Sequence, residues 1–289
     1  MKKHFLRLLA AVVALLLLVP VLGVAEDEAK LAEGADIRVM SFNLLHPDWG
    51  KSPVNGRLPN VVSILEYYMP DVVGIQEVDA KWHRALIPAL IDTGVYAPAC
   101  RQSNAAGFQF NLTTFLYNPK TVKLVDEYVL DLDKNSNIRV LAVGVFEKLS
   151  DGTRFVVTNT HPNSSHEVEI YTQNCTDMMT LASEELKKYQ GLPFIMTGDF
   201  NTEEADEMYQ TIMTALGVKD AKYEADVMVR NLATYIGWGG EEMDPARDYC
   251  IDHIFVNDKA DVKLFNVVVD HNIEATSDHR PVYADIDLK

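Results

Sequence analysis

Phe194-Ile195-Met196-Thr197-Gly198-Asp199-Phe200-Asn201 is an apolar run that ends in a carboxylate and an amide. Its aromatic and branched residues predict a strand over 194–196. The polar groups then fall at a strand end, the place where α/β folds usually bind ligands. Polar residues at strand ends are common, so one such cluster decides little.

The same arrangement occurs four more times. Val39-Met40-Ser41-Phe42 leads to Asn43, and Val72-Val73-Gly74-Ile75 leads to Gln76-Glu77. Phe155-Val156-Val157-Thr158-Asn159-Thr160 leads to His161, and Ser277-Asp278-His279 precedes an apolar run that starts at Val282. Chemically similar clusters whose strand ends converge at one sheet edge would build a single site. The inventory suits attack on phosphorus, which needs an activated water, a cation over the phosphoryl oxygens and a proton for the leaving oxygen. Glu77 and Asp278 are hard oxygen ligands that select Mg²⁺, Mn²⁺ or Ca²⁺. Histidine moves protons or stabilises charge near neutral pH. Asn43 and Asn201 offer neutral amides for a phosphoryl oxygen or a water.

Other hydrolytic schemes lack their signatures. The chain has no G-x-S-x-G elbow, no H-E-x-x-H helix and no glycine-rich phosphate loop. Ser277 has Asp278 and His279 as immediate neighbours, a spacing from which both cannot easily reach it.

Residues 37–45 (IRVMSFNLL), 74–78 (GIQEV), 158–162 (TNTHP), 197–201 (TGDFN), 251–256 (IDHIFV) and 277–282 (SDHRPV) resemble, in order, the motifs of the endonuclease/exonuclease/phosphatase superfamily. The resemblance implies an α/β four-layer sandwich, with two mixed β-sheets packed face to face and helices on the outside. It also implies roles. Glu77 would bind the divalent metal with Asn43 close by, and Asp278 would be a second ligand. His279 would stand beside the scissile phosphate as general base or charge stabiliser, oriented by Asp252. Asp199 would position or deprotonate the water, and Asn201 would hold the phosphate. His161 resembles the histidine of the deoxyribonuclease, sphingomyelinase and inositol-phosphatase branches, where some repair endonucleases carry a tyrosine. The chain departs from the pattern at His253, where an aromatic residue is usual. Strand alternation turns His253 away from Asp252 and makes it a packing or surface residue. His46, His83, His166 and His271 lack motif context and read the same way.

Around these motifs, strands are expected over 37–43, 72–75, 114–117, 139–146, 155–159, 194–196, 251–256, 262–269 and 282–286. One helix carries Leu58, Val61, Val62, Leu65 and Tyr68 and stops at Met69-Pro70. Another runs over 167–189 with Tyr171, Cys175, Met178, Ala182, Leu186 and Tyr189 on a core-packing stripe. Central strands that follow one another without helices predict mixed sheets. A two-sheet α/β sandwich with helices outside fits this order.

At the start, Met1-Lys2-Lys3-His4-Phe5-Leu6-Arg7 is basic, 8–22 is apolar, and Gly23-Val24-Ala25 is small. That is the layout of a secretory signal peptide over 1–25, and the apolar run is shorter than the roughly 20 residues a spanning helix needs. A secreted or cell-envelope location follows. Residues 26–35 read as a disordered leader, and 36–289 as one domain. The segment 1–25 holds three of the 26 basic residues and none of the 42 acidic ones, so the rest carries 23 − 42 = −19. Such acidity repels polyanions and counts against tight nucleic-acid binding. It favours a small-molecule or lipid-linked phosphate ester over DNA or RNA as substrate, with a secreted nuclease as the alternative and an inactive binding scaffold behind it. A membrane-acting enzyme would need an exposed aromatic hairpin, and Trp238, in the loop Gly237-Trp238-Gly239-Gly240, is not one; that loop reads as a turn. The mature chain is expected to be a monomer without stable membrane insertion. Cys100, Cys175 and Cys250 show no metal spacing. One bridge with a leftover thiol, or three buried thiols, both fit.

Overall fold

The computed structural model describes residues 28–49, 52–100, 113–132, 139–164, 166–237, 243–244 and 247–289. The signal segment expected over 1–25 and Trp238-Gly239-Gly240 lie outside them. The fold described here lies within Leu31–Lys289.

Among the described residues, two mixed sheets carry the chain. The first contains β1 (Ile37–Asn43), β2 (Val72–Gln76), β3 (Ala97–Ala99) and β4 (Thr113–Tyr117). The second contains β5 (Val122–Asp131), β6 (Val140–Lys148), β7 (Arg154–Thr160), β8 (Phe194–Asp199) and β9 (Lys219–Asp220). Next come β10 (Val227–Met228) in the first sheet, β11 (Asp252–Val256) in the second, and β12 (Ala260–Val267) and β13 (Val282–Leu288) in the first. The orders are β10-β12-β13-β1-β2-β4-β3 and β5-β6-β7-β8-β11-β9. β1 and β2 run parallel, as do β7 and β8, while β13 and β11 run antiparallel to β1 and β8.

One apolar cluster fills the space between the sheets, with Ile37, Val39, Val72 and Phe115 from one side and Phe155, Val157, Ile195 and Ile254 from the other. The outer face of the first sheet packs under α1 (Val54–Tyr68) and α2 (Ala80–Leu86). The outer face of the second packs under α3 (Val168–Lys188) and α4 (Glu207–Leu216). The sandwich of two mixed sheets with outer helices is therefore the fold. On α3, Tyr171, Cys175, Met178 and Ala182 are buried as a core stripe, while Leu186 and Tyr189 are half-buried. All three cysteines are buried thiols, none in a disulfide.

The inner rows of the central strands explain where the site forms. Side chains alternate along a strand, so β1 presents Ile37, Val39, Ser41 and Asn43 to the opposite sheet, β8 presents Ile195, Thr197 and Asp199, and β7 presents Phe155, Val157 and Asn159. Each row is apolar at one end and polar at the other, and the strand pairings bring the polar ends together: Asn43 beside Gln76, Thr160 beside Gly198, Asp199 beside Asp252. Below the site a buried amide network joins the sheets. Gln76 Nε2 donates to Ser41 Oγ (3.1 Å) and Asn159 Oδ1 (2.7 Å). Asn159 Nδ2 donates to Ile75 O (3.1 Å) and Thr114 O (2.8 Å). Gly74 makes this approach possible, because a Cβ there would lie 2.1 Å from Thr197 Oγ1 and 2.7 Å from Asn159 Oδ1.

Several elements were not expected. β5 is only partly buried and is broken by an irregularity between Leu124 and Asp126, so no alternation marks it. α2 and α4 are only 7 and 10 residues long, too short for a clear periodic signal.

Gly74→Ala is expected to cost about 1–3 kcal/mol or more, as overpacking at a buried polar contact does. A urea melt coincident with that of the unchanged chain would show that the two sheets do not meet this closely.

Candidate active site

Six strand ends and the loops beside them form one polar cluster. Asp199, at the end of β8, is its centre. Its Oδ2 accepts from Asn43 Nδ2 (3.0 Å) and lies 3.3 Å from His161 Nε2 and 3.7 Å from His279 Nε2. Its Oδ1 accepts the backbone N–H of Asn201 (3.0 Å). His279 Nδ1 lies 2.7 Å from Asp252 Oδ2, so Asp252 holds the ring by its far nitrogen. Asp199, Asp252 and His279 each offer an atom within 4.8 Å of the others. All three are buried.

These contacts set the charges. Burial works against a charge on Asp199, but His161 and His279 outweigh it and hold the carboxyl below its usual range. Burial likewise works against protonated His279, yet Asp252 and Asp199 on its two sides raise its pKa well above normal. The proton therefore stays on an imidazole flanked by two carboxylates.

A second carboxylate pair stands beside this cluster. Glu77 follows β2 in a left-handed conformation (φ 63°), and Oε2 accepts the His46 N–H at 2.5 Å. Asn43 Nδ2 also reaches Glu77 Oε1 (3.2 Å), while its Oδ1 accepts the Leu45 N–H (2.9 Å). Asn43 thus spans Glu77 and Asp199 as a donor to both. Asp278 is pushed up to about 6, chiefly by burial, against the pull of His279 and with smaller help from Glu77 and Asp199. Carboxyl groups crowded in this way suit a hard divalent cation, and Asp199, Asp252 and His279 also lie close enough together to hold one.

Every residue expected at the site is in it. Asn201, also left-handed (φ 51°), donates its side-chain N–H to Pro162 O (3.1 Å) and so ties the Asp199 loop to the His161 loop. Ser277 donates to Asn43 O (2.7 Å) and accepts from His279 N (3.1 Å); its hydroxyl pins the loop and is not placed as a nucleophile. His253 is buried on the opposite face of β11, as alternation requires.

The site also contains residues that motif reading passed over. Arg139 precedes β6 and donates to Asn163 Oδ1 (2.8 Å) and His161 O (3.1 Å). Burial lowers its pKa, while Glu77 and Asp199 pull it up, which marks it as a cation of this site. Its position at the start of the strand antiparallel to β7 was the available signal. Arg57, on α1, donates to Leu44 O (2.6 Å), Leu45 O (3.0 Å) and Thr276 O (3.2 Å), and its guanidinium lies 4.8 Å from the Trp82 ring centroid. It clamps the loops that carry Asn43 and Asp278. Tyr235 stands edge-on to His279, with ring centroids 5.2 Å apart. No periodicity marks either residue.

The profile of the Endonuclease/Exonuclease/phosphatase family matches residues 40–279. No curated protein matches the chain in sequence. Solved structures match in fold. An endonuclease/exonuclease/phosphatase from Bacteroides vulgatus superposes with a TM-score of 0.73 at 23% identity, covering 88% of this chain and 99% of that one. A mannosyl-6-phosphatase from Bacteroides thetaiotaomicron gives 0.69 at 21% identity, covering 86% and 99%. D. rerio TDP2 complexed with a single-strand DNA product gives 0.67 at 18%, covering 86% and 98%.

A carboxyl whose pKa is raised binds its proton more tightly in the folded chain than in the unfolded one. Asp278 therefore takes stability from the metal-free protein as pH rises from about 4 to 6. Asp278→Asn is expected to raise metal-free stability at pH 7 by roughly 1–2 kcal/mol. It is also expected to abolish most of the thermal shift produced by Mg²⁺ or Mn²⁺. In the unchanged chain that shift should weaken below pH 6; a pH-independent shift would mean that Asp278 does not meet the ion.

Proposed function

Because the chain belongs to the endonuclease/exonuclease/phosphatase family of metal-dependent phosphoric ester hydrolases, we propose that it is an exported enzyme cleaving a small or lipid-linked phosphate ester by attack of water on phosphorus. One observation carries the reading: Asp199 lies between His161 and His279, and Asp252 orients His279 from behind.

Glu77 and Asp278, with Asn43 beside them, would hold a divalent cation, Mg²⁺, Mn²⁺ or Ca²⁺. Such an ion supplies charge neutralisation over the phosphoryl oxygens. Asp199, ionised and fixed by Asn43 and the Asn201 N–H, accepts a hydrogen bond from the attacking water and aims its lone pair. The low basicity of Asp199 makes alignment its main contribution. His279, protonated and oriented by Asp252, donates toward the non-bridging oxygens as negative charge grows there, which stabilises the transition state more than the ground state. His161 and the Asn201 amide hold the phosphate from the other side, and Arg139 adds a fixed positive charge. Nothing in the sequence clusters Lys and Arg into a polyanion track, and the −16 formal charge opposes one. This supports a small ester over DNA or RNA.

The test is hydrolysis by residues 26–289 of bis-p-nitrophenyl phosphate, p-nitrophenyl phosphate, sphingomyelin and plasmid DNA, with each metal or with chelator. Turnover of small esters is expected only with metal. His279→Ala and Asp252→Asn should each lower kcat by about a hundredfold or more. Degradation of plasmid DNA with no small-ester turnover would replace this reading with a secreted nuclease.

Export predicts that the full chain, expressed in a bacterial host, is recovered outside the cytoplasm starting at Glu26. Intact-mass measurement checks this, and an uncut cytoplasmic protein would remove export from the proposal.

A further inference from the structure

Beside His279 lies a cavity of about 580 Å³ whose walls include Tyr235, Tyr249, Arg247, Arg280, Glu274 and Asp244. Its size is that of a small-ligand site. Its wall and the His279 loop are joined through the backbone. Ile236 N–H donates to Asp278 O (2.8 Å), Arg280 N–H donates to Thr234 O (2.7 Å), and Tyr235 pairs with His279 as an isolated antiparallel bridge. A phosphate ester held at His279 therefore has this cavity within reach of the rest of the molecule. We propose that the cavity seats the alcohol part of the substrate, and that this alcohol is a hydroxyl-rich ring, making the substrate a sugar phosphate. The assignment rests on the phosphoesterase reading above.

The cavity's chemistry selects the class. It presents two guanidinium groups and two carboxylates, so it offers both donors and acceptors, and sugar hydroxyls do both. Arg280 has a buried Nε–H with no acceptor among the described residues, while its Nη1 is spent on Ala233 O (3.0 Å). Arg247 is fixed against Glu203 and lies over the Tyr249 ring, 4.5 Å from its centroid.

Other occupants fit less well. A lipid chain would strip water from four charged side chains. A second phosphate would meet Glu274 and Asp244. A nucleobase needs an open slot between flat faces. The Tyr235 and Tyr249 rings already touch each other, 6.1 Å apart and tilted by 44°, and Arg247 lies over Tyr249. A sugar needs one apolar edge and a ring of hydrogen-bonding groups, which is what the wall offers.

The experiment compares kcat/KM for a hexose 6-phosphate, a nucleoside 5′-monophosphate and p-nitrophenyl phosphate at one saturating metal concentration. Glu274→Gln and Arg280→Lys are tested beside the unchanged chain; Glu274 is exposed, so its variant should fold. The hexose phosphate is expected to be preferred over the nucleotide. Each variant should lower the ratio of hexose phosphate to p-nitrophenyl phosphate by about tenfold, mainly through KM. A ratio unmoved in both folded variants, or preference for the nucleotide, overturns the sugar assignment. If p-nitrophenyl phosphate is still hydrolysed and His279→Ala abolishes that, the phosphoesterase reading survives such a failure. If no ester is turned over by the unchanged chain, both readings fall together.

Discussion

The buried amide network between the two sheets is the constraint on which the site depends. Polar side chains inside a sandwich must all find partners, because each unmet group costs about 1–3 kcal/mol. Ser41, Gln76, Asn159 and Thr197 meet most of that demand by bonding to one another across the sheets and to nearby backbone carbonyls, although Gln76 Oε1 has no partner among the described residues. Their bonds work only at one relative position of β1, β2, β7 and β8, so the network sets the register of one sheet against the other. One residue further along the inner rows lie Asn43, His161 and Asp199, and Glu77 follows directly after Gln76 at the end of β2. The distances within the site are thus inherited from a layer of uncharged hydrogen bonds beneath it.

Above that layer the balance is electrostatic. Asp199, Asp252, Asp278 and Glu77 crowd one small volume, and uncompensated they would unfold it. His279, held protonated between Asp252 and Asp199, neutralises part of that charge, and His161 lies against Asp199 from the other side. Arg57 and Arg139 approach from the protein side, held by backbone carbonyls of the loops they support. Burial raises Asp278 to about 6, and the nearby Glu77 charge adds to that pressure. A bound dication would relieve that pressure, so the site is less stable empty than filled.

The charged residues of the site were legible because their chemistry is written in short runs. Asp199, Asp278-His279 and Glu77 each end or begin a strand, and the strand run itself announces where they go. What escaped were groups that act from outside those runs. Arg57 sits on a helix and reaches the site with its full side-chain length; Arg139 begins a strand whose other end faces away; Tyr235 lies in a segment with no regular pattern. Their roles arise from which strands are neighbours, and neighbour identity is a property of topology rather than of local sequence. β5 escaped for a different reason, since only Val122 on it is buried and the irregularity between Leu124 and Asp126 breaks its alternation.

His253 shows how far alternation alone can carry the reading. It was expected to face away from Asp252, and it does, but it is buried and partnered there. One ring nitrogen lies 3.0 Å from Asp220 Oδ2, which also accepts from Tyr209 OH, and the other lies 3.0 Å from Thr202 O. Burial disfavours its charge, yet Asp220 and the Thr202 carbonyl outweigh this and raise its pKa. Thr202 belongs to the loop that begins at Asp199, and Asn201 in that loop is anchored on the other side to Pro162 O. The loop is therefore held from behind by His253 and in front by Asn201, so Asp199 cannot drift toward either histidine. A hydrocarbon ring at 253 would fill the same space but leave the Thr202 carbonyl without its donor. On one five-residue strand, then, Asp252 orients His279 and His253 steadies the loop that carries Asp199.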